Sequence, residues 1–274
     1  MARIRQYYGG TGVPLVVLGD PIDAVLGWRS QRARMRGWLE LLDTDGWSGP
    51  TRCESWDVRG LVRHLASACQ FLGYTVHEAS QGTATSLLQG MDTRGTVEAA
   101  AATLGDLTPG ESLELLAAMD AVADTELEGL GTDGLLLTAE APPGNLPVHL
   151  AVSHFLFDSW VHEYDLLLPG GDQPEVDQRE SLVVVAYLAG LASVSTGAAV
   201  PLDLRLSSPD LRIGVSFDGG ITTVTPGSVP DGALVVEGTV VDIVDRMTGR
   251  PGGPVTGDSQ ALGVLDSFAL VLST

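Results

Sequence analysis

The sequence contains no lysine. Its 15 basic Lys+Arg residues are all arginine, set against 35 acidic residues, for a formal net charge of −20. So acidic a chain lacks the basic face that binding to a phosphate backbone requires. It is equally unsuited to docking on an anionic membrane surface. Cysteine is scarce too. The chain has Cys53 and Cys69 and no CxxC, which excludes a thiol redox motif and a cysteine-rich zinc site. At 274 residues a disulfide-stapled secreted scaffold is not expected either. Long apolar runs are missing: PLVVL near the N-terminus is too short for a signal-peptide core, and no stretch reaches membrane-spanning length. YYGGTG lacks the GK[ST] of a phosphate loop, and GxSxG, the hydrolase nucleophile turn, is absent. Internal repeats and low-complexity tracts are absent as well. The expectation is a soluble cytoplasmic protein, without a nucleic-acid or membrane partner.

What is present is enough for a large core. Hydrophobic residues make up 44% and charged residues 18%, a globular composition for one or two domains. The first half reads as helices. Apolar residues recur at helical spacing over 22–43, and a loop, DGWSGPTRCESW, follows. A helix is expected from near Ser55 or Trp56 to about 80, with Asp57 favourable in its first turn. Further helical patterns cover 94–105, 111–129 and, after the Pro/Gly segment EAPPGNLPVH, 147–168. LPGGDQP is a strong break and the expected domain boundary. Beyond it, 178–197 reads as helix. PLDLRLSS, LRIGVSF, ITTVTP and ALVVEG then read as strands, two of them joined at Asp218-Gly219-Gly220. Thr239 to Asp242 has the form of a capping box opening a helix, and QALGVLDSFALVLS closes the chain as an apolar helix. The expected class is α+β: residues 1–21 as an extension, 22–170 as a helical bundle, 175–274 as a small α+β domain.

Residues 154–165 read HFLFDSWVHEYD. His154, Asp158 and His162 stand at steps of four, so neighbours lie roughly 5–6 Å apart on one helix face. The two histidines are about 12 Å apart along the axis and cannot share one metal ion. Asp158 can pair with either. His162 has the added feature of Asp165 three residues on, within reach of its second ring nitrogen, where a carboxylate would orient the imidazole. The third ligand must come from another helix. His64 shares a face with Leu61, Ala68 and Phe71, and bundles build metal sites from side chains on facing helices. His64, Asp158 and His162 would offer two nitrogens and an oxygen with a coordination position left open, a pattern suited to a catalytic divalent metal, zinc first. The plain alternative is a hydrogen-bonded core histidine beside an i,i+4 ion pair.

Other residues carry weaker signals. Glu163 and Asp165 are spaced for an acid/base pair, but a solvated helix end is the commoner arrangement and the expectation here. His77 and His149 read as surface or loop residues. Cys53 and Cys69 read as packing residues, and Trp56 and Trp160 as core.

The stretch PTRCESWDVRGLVRHLA resembles the PT-x-C-x-x-W-x-V-x-x-L-x-x-H-L pattern of the mycothiol-dependent maleylpyruvate isomerase family, within the DinB/YfiT-like superfamily. DSWVHEYD resembles the family's E-x-x-x-H-x-W-D helix. The second half, with DGG and VEGTVVDIVDRMTGR, is similar to the family's sterol-carrier-like C-terminal domain. The resemblance spans about 22–274. It implies a DinB-like four-helix bundle whose metal ligands are His64, Asp158 and His162, with Asp165 at the aspartate that follows. Three departures stand out. Aspartate replaces glutamate at 158, Tyr164 replaces tryptophan, and His154 stands where arginine is common, a position suited to a substrate-facing or supporting role.

The resemblance also implies a low-molecular-weight thiol, mycothiol, as co-substrate. A free thiol with a pKa near 8.5 is scarcely ionised at neutral pH, whereas a bound divalent metal deprotonates it. Addition of that thiolate to an electrophilic carbon, followed by rotation and loss of the thiol, is cis–trans isomerisation. Retention of the adduct is S-transfer. Substrates of this type carry carboxylates, for which Arg246 and Arg250 are the candidate catalytic partners. Arg63, about 100° round the helix from His64, is expected to face solvent. Two other functions are compatible with the sequence: a small-molecule binding protein with a vestigial metal site, and a metal-dependent tailoring enzyme of specialised metabolism that uses no thiol.

Overall fold

The computed structural model describes residues 2–3, 14–90 and 95–273. Its helices are α1 (Ile22–Leu39), α2 (Val58–Ser80), α3 (Gly95–Ala102), α4 (Pro109–Gly134), α5 (Val148–Leu167), α6 (Gln178–Thr196), α7 (Val240–Met247) and α8 (Ser259–Ser273). Its strands are β1 (Ala2–Arg3), β2 (Pro14–Val17), β3 (Thr138–Ala141), β4 (Gly144–Pro147), β5 (Leu202–Ser207), β6 (Asp210–Asp218), β7 (Ile221–Pro226), β8 (Leu234–Gly238) and β9 (Thr256–Gly257). A helical N-terminal half is followed by a half built on a sheet, the α+β arrangement expected.

Local chemistry sets the helix starts. Asp57 accepts a hydrogen bond from the Gly60 amide at 2.8 Å and caps α2, which starts at Val58, two or three residues later than expected. Thr108 and Glu111 cap α4 reciprocally, with Pro109 in the first turn. At Thr239 the N-cap half of the expected capping box forms: its hydroxyl accepts from the Asp242 amide at 3.1 Å and opens α7, while the Asp242 carboxylate takes the Thr239 hydroxyl instead of the backbone amide.

Helix α5 is the axis of the molecule. From Leu150 to Leu167 every residue but Asp158 is buried. A helix apolar nearly all round has no solvent face, and α5 is enclosed by α1, α2 and α6. The Pro/Gly segment before it, read as a spacer, is the antiparallel hairpin β3–β4.

The larger sheet runs β1-β2-β7-β6-β5-β8-β9. The hairpin at Asp218-Gly219-Gly220 is the expected one, with both glycines at positive φ, 54° and 79°. β2 lies parallel to β7, with Leu15 opposite Thr222. Residues 14–17, set apart in the sequence as part of an extension, thus belong to this sheet. Helix α6 lies between sheet and bundle. A Cβ at Gly190 would stand 2.7 Å from a Leu15 methyl and 3.0 Å from a Val224 methyl, so the glycine lets the helix pack closely on the strands without displacing these side chains. One hydrophobic cluster runs from α1, α2 and α5 through α6 into the sheet, α7 and α8.

Candidate metal centre

His64 on α2 and His162 on α5 face each other, with ring centroids 5.0 Å apart. Asp158 lies between them. One carboxylate oxygen is 3.3 Å from His64 Nε2 and the other 3.6 Å from His162 Nε2. The three donor atoms lie within 4.8 Å of one another. The longer separation exceeds a hydrogen bond. Both suit donors around a shared ion: tetrahedral ligands at ~2.0–2.1 Å from zinc stand ~3.3 Å apart. His64 Nδ1 is buried and has no hydrogen-bond partner among the described residues, so no side chain turns that ring away from Asp158. The donor set and its spacing fit a divalent metal. Burial raises the Asp158 pKa, but the two histidines beside it outweigh that and hold it well below the usual carboxylate range. Burial lowers the His162 pKa despite Asp158 and Asp165, which favours the neutral ring a metal requires.

The surroundings hold both histidines. Trp56 stacks on His64, centroids 5.1 Å apart and planes 24° from parallel. It lies half-buried against the ligands rather than wholly in the core, where it was expected; Trp160 is in the core. Asp165 accepts from His162 Nδ1 at 2.9 Å. It is fully buried and also takes Arg52 Nε at 2.9 Å and Arg250 Nη2 at 2.6 Å. Burial alone would raise its pKa, but His162 and Arg250 hold it far below normal. Cys53, read as packing, lies over this pair, with Sγ 3.3 Å from Asp165 and 3.7 Å from His162 Nδ1. Burial and the adjacent carboxylate push its thiol up to about 12. Cys53, His162 and Asp165 are close enough to form a second ligand group. The two guanidinium groups on Asp165 already satisfy that carboxylate, and His162 Nδ1 is bonded to it, so the first group is the better centre for a cation.

The remaining candidates fall as follows. His154 is buried and its Nδ1 lies 3.0 Å from the Tyr187 hydroxyl, outside the ligand group. Arg250 reaches the site through Asp165. Arg246 does not: it forks onto Asp266 at 2.8 and 2.9 Å near the surface. It pairs α7 with α8. Arg63 is part-exposed, as expected, and donates to the Gly105 carbonyl at 2.8 Å. His77 is exposed beside Glu126, and His149 is half-buried at the start of α5. Cys69 is buried next to Asp120. Glu163 is no solvated helix end. It is 1% exposed and bound to Arg34 at 2.7 Å, because α5 continues to Leu167 beneath its neighbours. Sequence reasoning missed Arg52 and Asp245. The only local signal was that Arg52 falls inside the PTRC stretch.

Residues 28–167 match the family model described as the mycothiol maleylpyruvate isomerase N-terminal domain, just over half of the chain. The chain belongs to the mycothiol-dependent maleylpyruvate isomerase family. The fold agrees. A crystal structure of the mycothiol-dependent maleylpyruvate isomerase superposes with a TM-score of 0.60 at 21% identity, covering 88% of this chain and 94% of that one. A histidine-to-alanine mutant of the same enzyme gives 0.60 at 20% identity with the same coverage. No curated protein sequence matches the chain. The family's mycothiol chemistry concerns a small molecule, and among the described residues no helix is long and apolar enough to cross a membrane.

Proposed function

We propose that this protein is a divalent-metal enzyme, zinc being the expected ion. It would use a mycothiol-type thiol to isomerise, or transfer sulfur to, a small electrophilic substrate bearing a carboxylate. The observation that carries this reading is the convergence of His64, Asp158 and His162 from two helices, with a charged second layer behind one of them. The shorter aspartate at 158 still approaches both histidines, which supports a working site over a vestigial one. A metal held there would bind a thiol and favour its thiolate.

The chain's own residues then have separate tasks. Asp165 fixes the ring of His162 through Nδ1 and leaves Nε2 facing Asp158. Asp158 is partly exposed while both histidines are nearly buried, so small molecules approach on the Asp158 side. Arg250 spends Nε and Nη2 on Asp165, and its Nη1 is the group we assign to a substrate carboxylate. The cytoplasmic location expected from composition and the small-molecule substrate implied by the resemblance accord with this role.

The test is calorimetric. Metal-free protein titrated with zinc should bind close to one equivalent, and mycothiol should then bind the loaded form but not the metal-free form. Protein that takes up no divalent ion overturns the metal centre. Equal mycothiol binding to both forms, or to neither, overturns the thiol mechanism and leaves the metal centre standing.

A further inference from the structure

The segment that follows β8 reaches across to the side chains that support the metal centre. Asp245 on α7 is 4% exposed. Both its oxygens are taken by Arg52, Nη2 at 2.5 Å and Nη1 at 3.1 Å. The same guanidinium places Nε on Asp165, while the Arg52 backbone amide donates to the Asp165 carbonyl at 3.0 Å. Asp245 also holds Arg250: its carbonyl accepts from the Arg250 amide at 2.8 Å, and Arg250 turns its side chain back onto Asp165. The contacts close a ring, Asp165–Arg52–Asp245–Arg250–Asp165. It contains two carboxylates and two guanidinium groups, so it is neutral when complete and leaves a buried charge unmatched when broken.

The loop that carries Arg52 touches both histidines of the centre. Thr51 caps its turn, accepting from the Cys53 amide at 3.0 Å and donating to the Trp56 carbonyl at 2.7 Å. Trp56 stacks on His64, and Cys53 lies on Asp165 and His162. Fixing Arg52 therefore fixes supports of both ligands together.

We propose that Arg52 and Asp245 are positioning residues that make the geometry of the metal ligands depend on the docking of α7. Only Asp165 stands between Arg52 and His162. When α7 lifts, Arg52 and Arg250 lose Asp245, Asp165 loses its fixed neighbours, and the 51–56 loop is released from beside the ligands. The inference rests on the metal-centre reading for its consequence but not for its geometry.

The two cysteines supply a readout in metal-free protein. Cys53 sits in the loop at the ring, and Cys69 is buried in α2 against Asp120. Alkylation at each is followed by mass spectrometry in the wild type, Asp245→Asn, Arg52→Gln, Arg52→Lys and Asp23→Asn. Zinc affinity is measured in parallel against a competing chelator. In the first two variants Cys53 should react at least about tenfold faster with Cys69 unchanged, and zinc affinity should fall about 10–100-fold, as for loss of a group that orients a ligand. Arg52→Lys should behave like Arg52→Gln, because one ammonium cannot bridge two carboxylates as a planar fork does. Asp23→Asn, the same chemical change at the exposed Arg179 ion pair between α1 and α6, should match the wild type. Unchanged Cys53 reactivity and zinc affinity in Asp245→Asn overturn the proposal. So does a parallel rise at Cys53 and Cys69, which marks general loosening. If the wild type binds no zinc, the metal reading fails, and the alkylation rates alone decide whether the ring controls the loop.

Discussion

Asp158 is flanked on its own helix by His154 one turn before and His162 one turn after, and the two histidines have different surroundings. His162 has Asp165 on Nδ1 and turns Nε2 toward Asp158 and His64, whereas His154 is turned to the Tyr187 hydroxyl. His64→Ala, Asp158→Ala and His162→Ala should each lower zinc affinity by orders of magnitude, while His154→Ala should keep the ion. Chelator competition on the four folded variants checks this; loss of zinc in His154→Ala with retention in His162→Ala would move the site one turn earlier. His154 has a separate signature in pH. Burial, opposed in part by Asp158, brings its pKa down to about 4. The unfolded chain takes up that proton near 6.5 and the folded chain does not, so the unfolded state binds more protons between the two values and stability falls as pH drops through that window. Between pH 7 and 5 this one group removes about 2 kcal/mol. His154→Gln keeps a polar partner for Tyr187 and does not titrate. Its urea-unfolding stability in metal-free form should therefore fall less steeply than that of the wild type; parallel slopes would show that His154 is protonated in the fold.

Helix α4 offers a paired test of backbone conformation. Gly131 has φ 61° and ψ −176°, a region essentially confined to glycine, where the helix breaks and restarts. Nothing lies within 4 Å of a Cβ there or at Gly129, so neither site is limited by space. Gly131→Ala should destabilise by about 1–3 kcal/mol from backbone strain. Gly129→Ala, exposed and within regular helix, should stabilise by roughly 0.5–1 kcal/mol. Thermal unfolding of both variants separates the cases, and a stabilising Gly131→Ala would contradict the kink. The same elements show what was readable in the sequence. Apolar periodicity marked the long helices, because their partners recur every turn. Alternation and two glycines marked the β6–β7 hairpin. The β2 strand was unreadable because its partner, β7, lies some two hundred residues on, and PLVV carries no local sign of that pairing. The β3–β4 hairpin was hidden by its prolines. It is tied down by the buried Glu140, which accepts from Thr85 and from the Leu87 and Leu88 amides, again contacts made at a distance. At the candidate centre, spacing along α5 brought out Asp158, His162 and Asp165. The Arg52–Asp245 link, 193 residues apart, left no trace in any periodic pattern.

At the scale of the whole molecule, three helices that share the central core are joined by one arginine. Arg34 on α1 reaches Glu163 on α5 at 2.7 and 2.9 Å and Glu180 on α6 at 2.8 and 2.9 Å. Both carboxylates are essentially inaccessible, and Gln31 adds a bond to Glu163 at 3.1 Å. Burial works against the charge on Arg34, but Glu180 and Glu163 outweigh it and hold the guanidinium well above its ordinary pKa. Burial raises both glutamates in spite of the arginine. Two buried carboxylates on one cation make a junction that tolerates the loss of neither sign. Arg34→Met would fill much of the same space and leave both glutamates without their partner. Breaking a buried pair in this way costs about 3–5 kcal/mol, because the remaining charge is uncompensated. The pH dependence distinguishes this cause from lost packing. Without Arg34 the folded-state pKa of each glutamate rises further above the unfolded value near 4.5, so the folded variant takes up protons before the unfolded chain does. A carboxylate raised in the fold gains stability as pH falls through its folded pKa. The stability difference between variant and wild type, in which titrations common to both cancel, should therefore be largest near pH 8 and shrink toward pH 5. Urea unfolding at the two pH values measures it. A difference that stays constant with pH would mean that Arg34 contributes packing alone, and that the charge junction between α1, α5 and α6 is not what binds the bundle to the helix carrying the sheet.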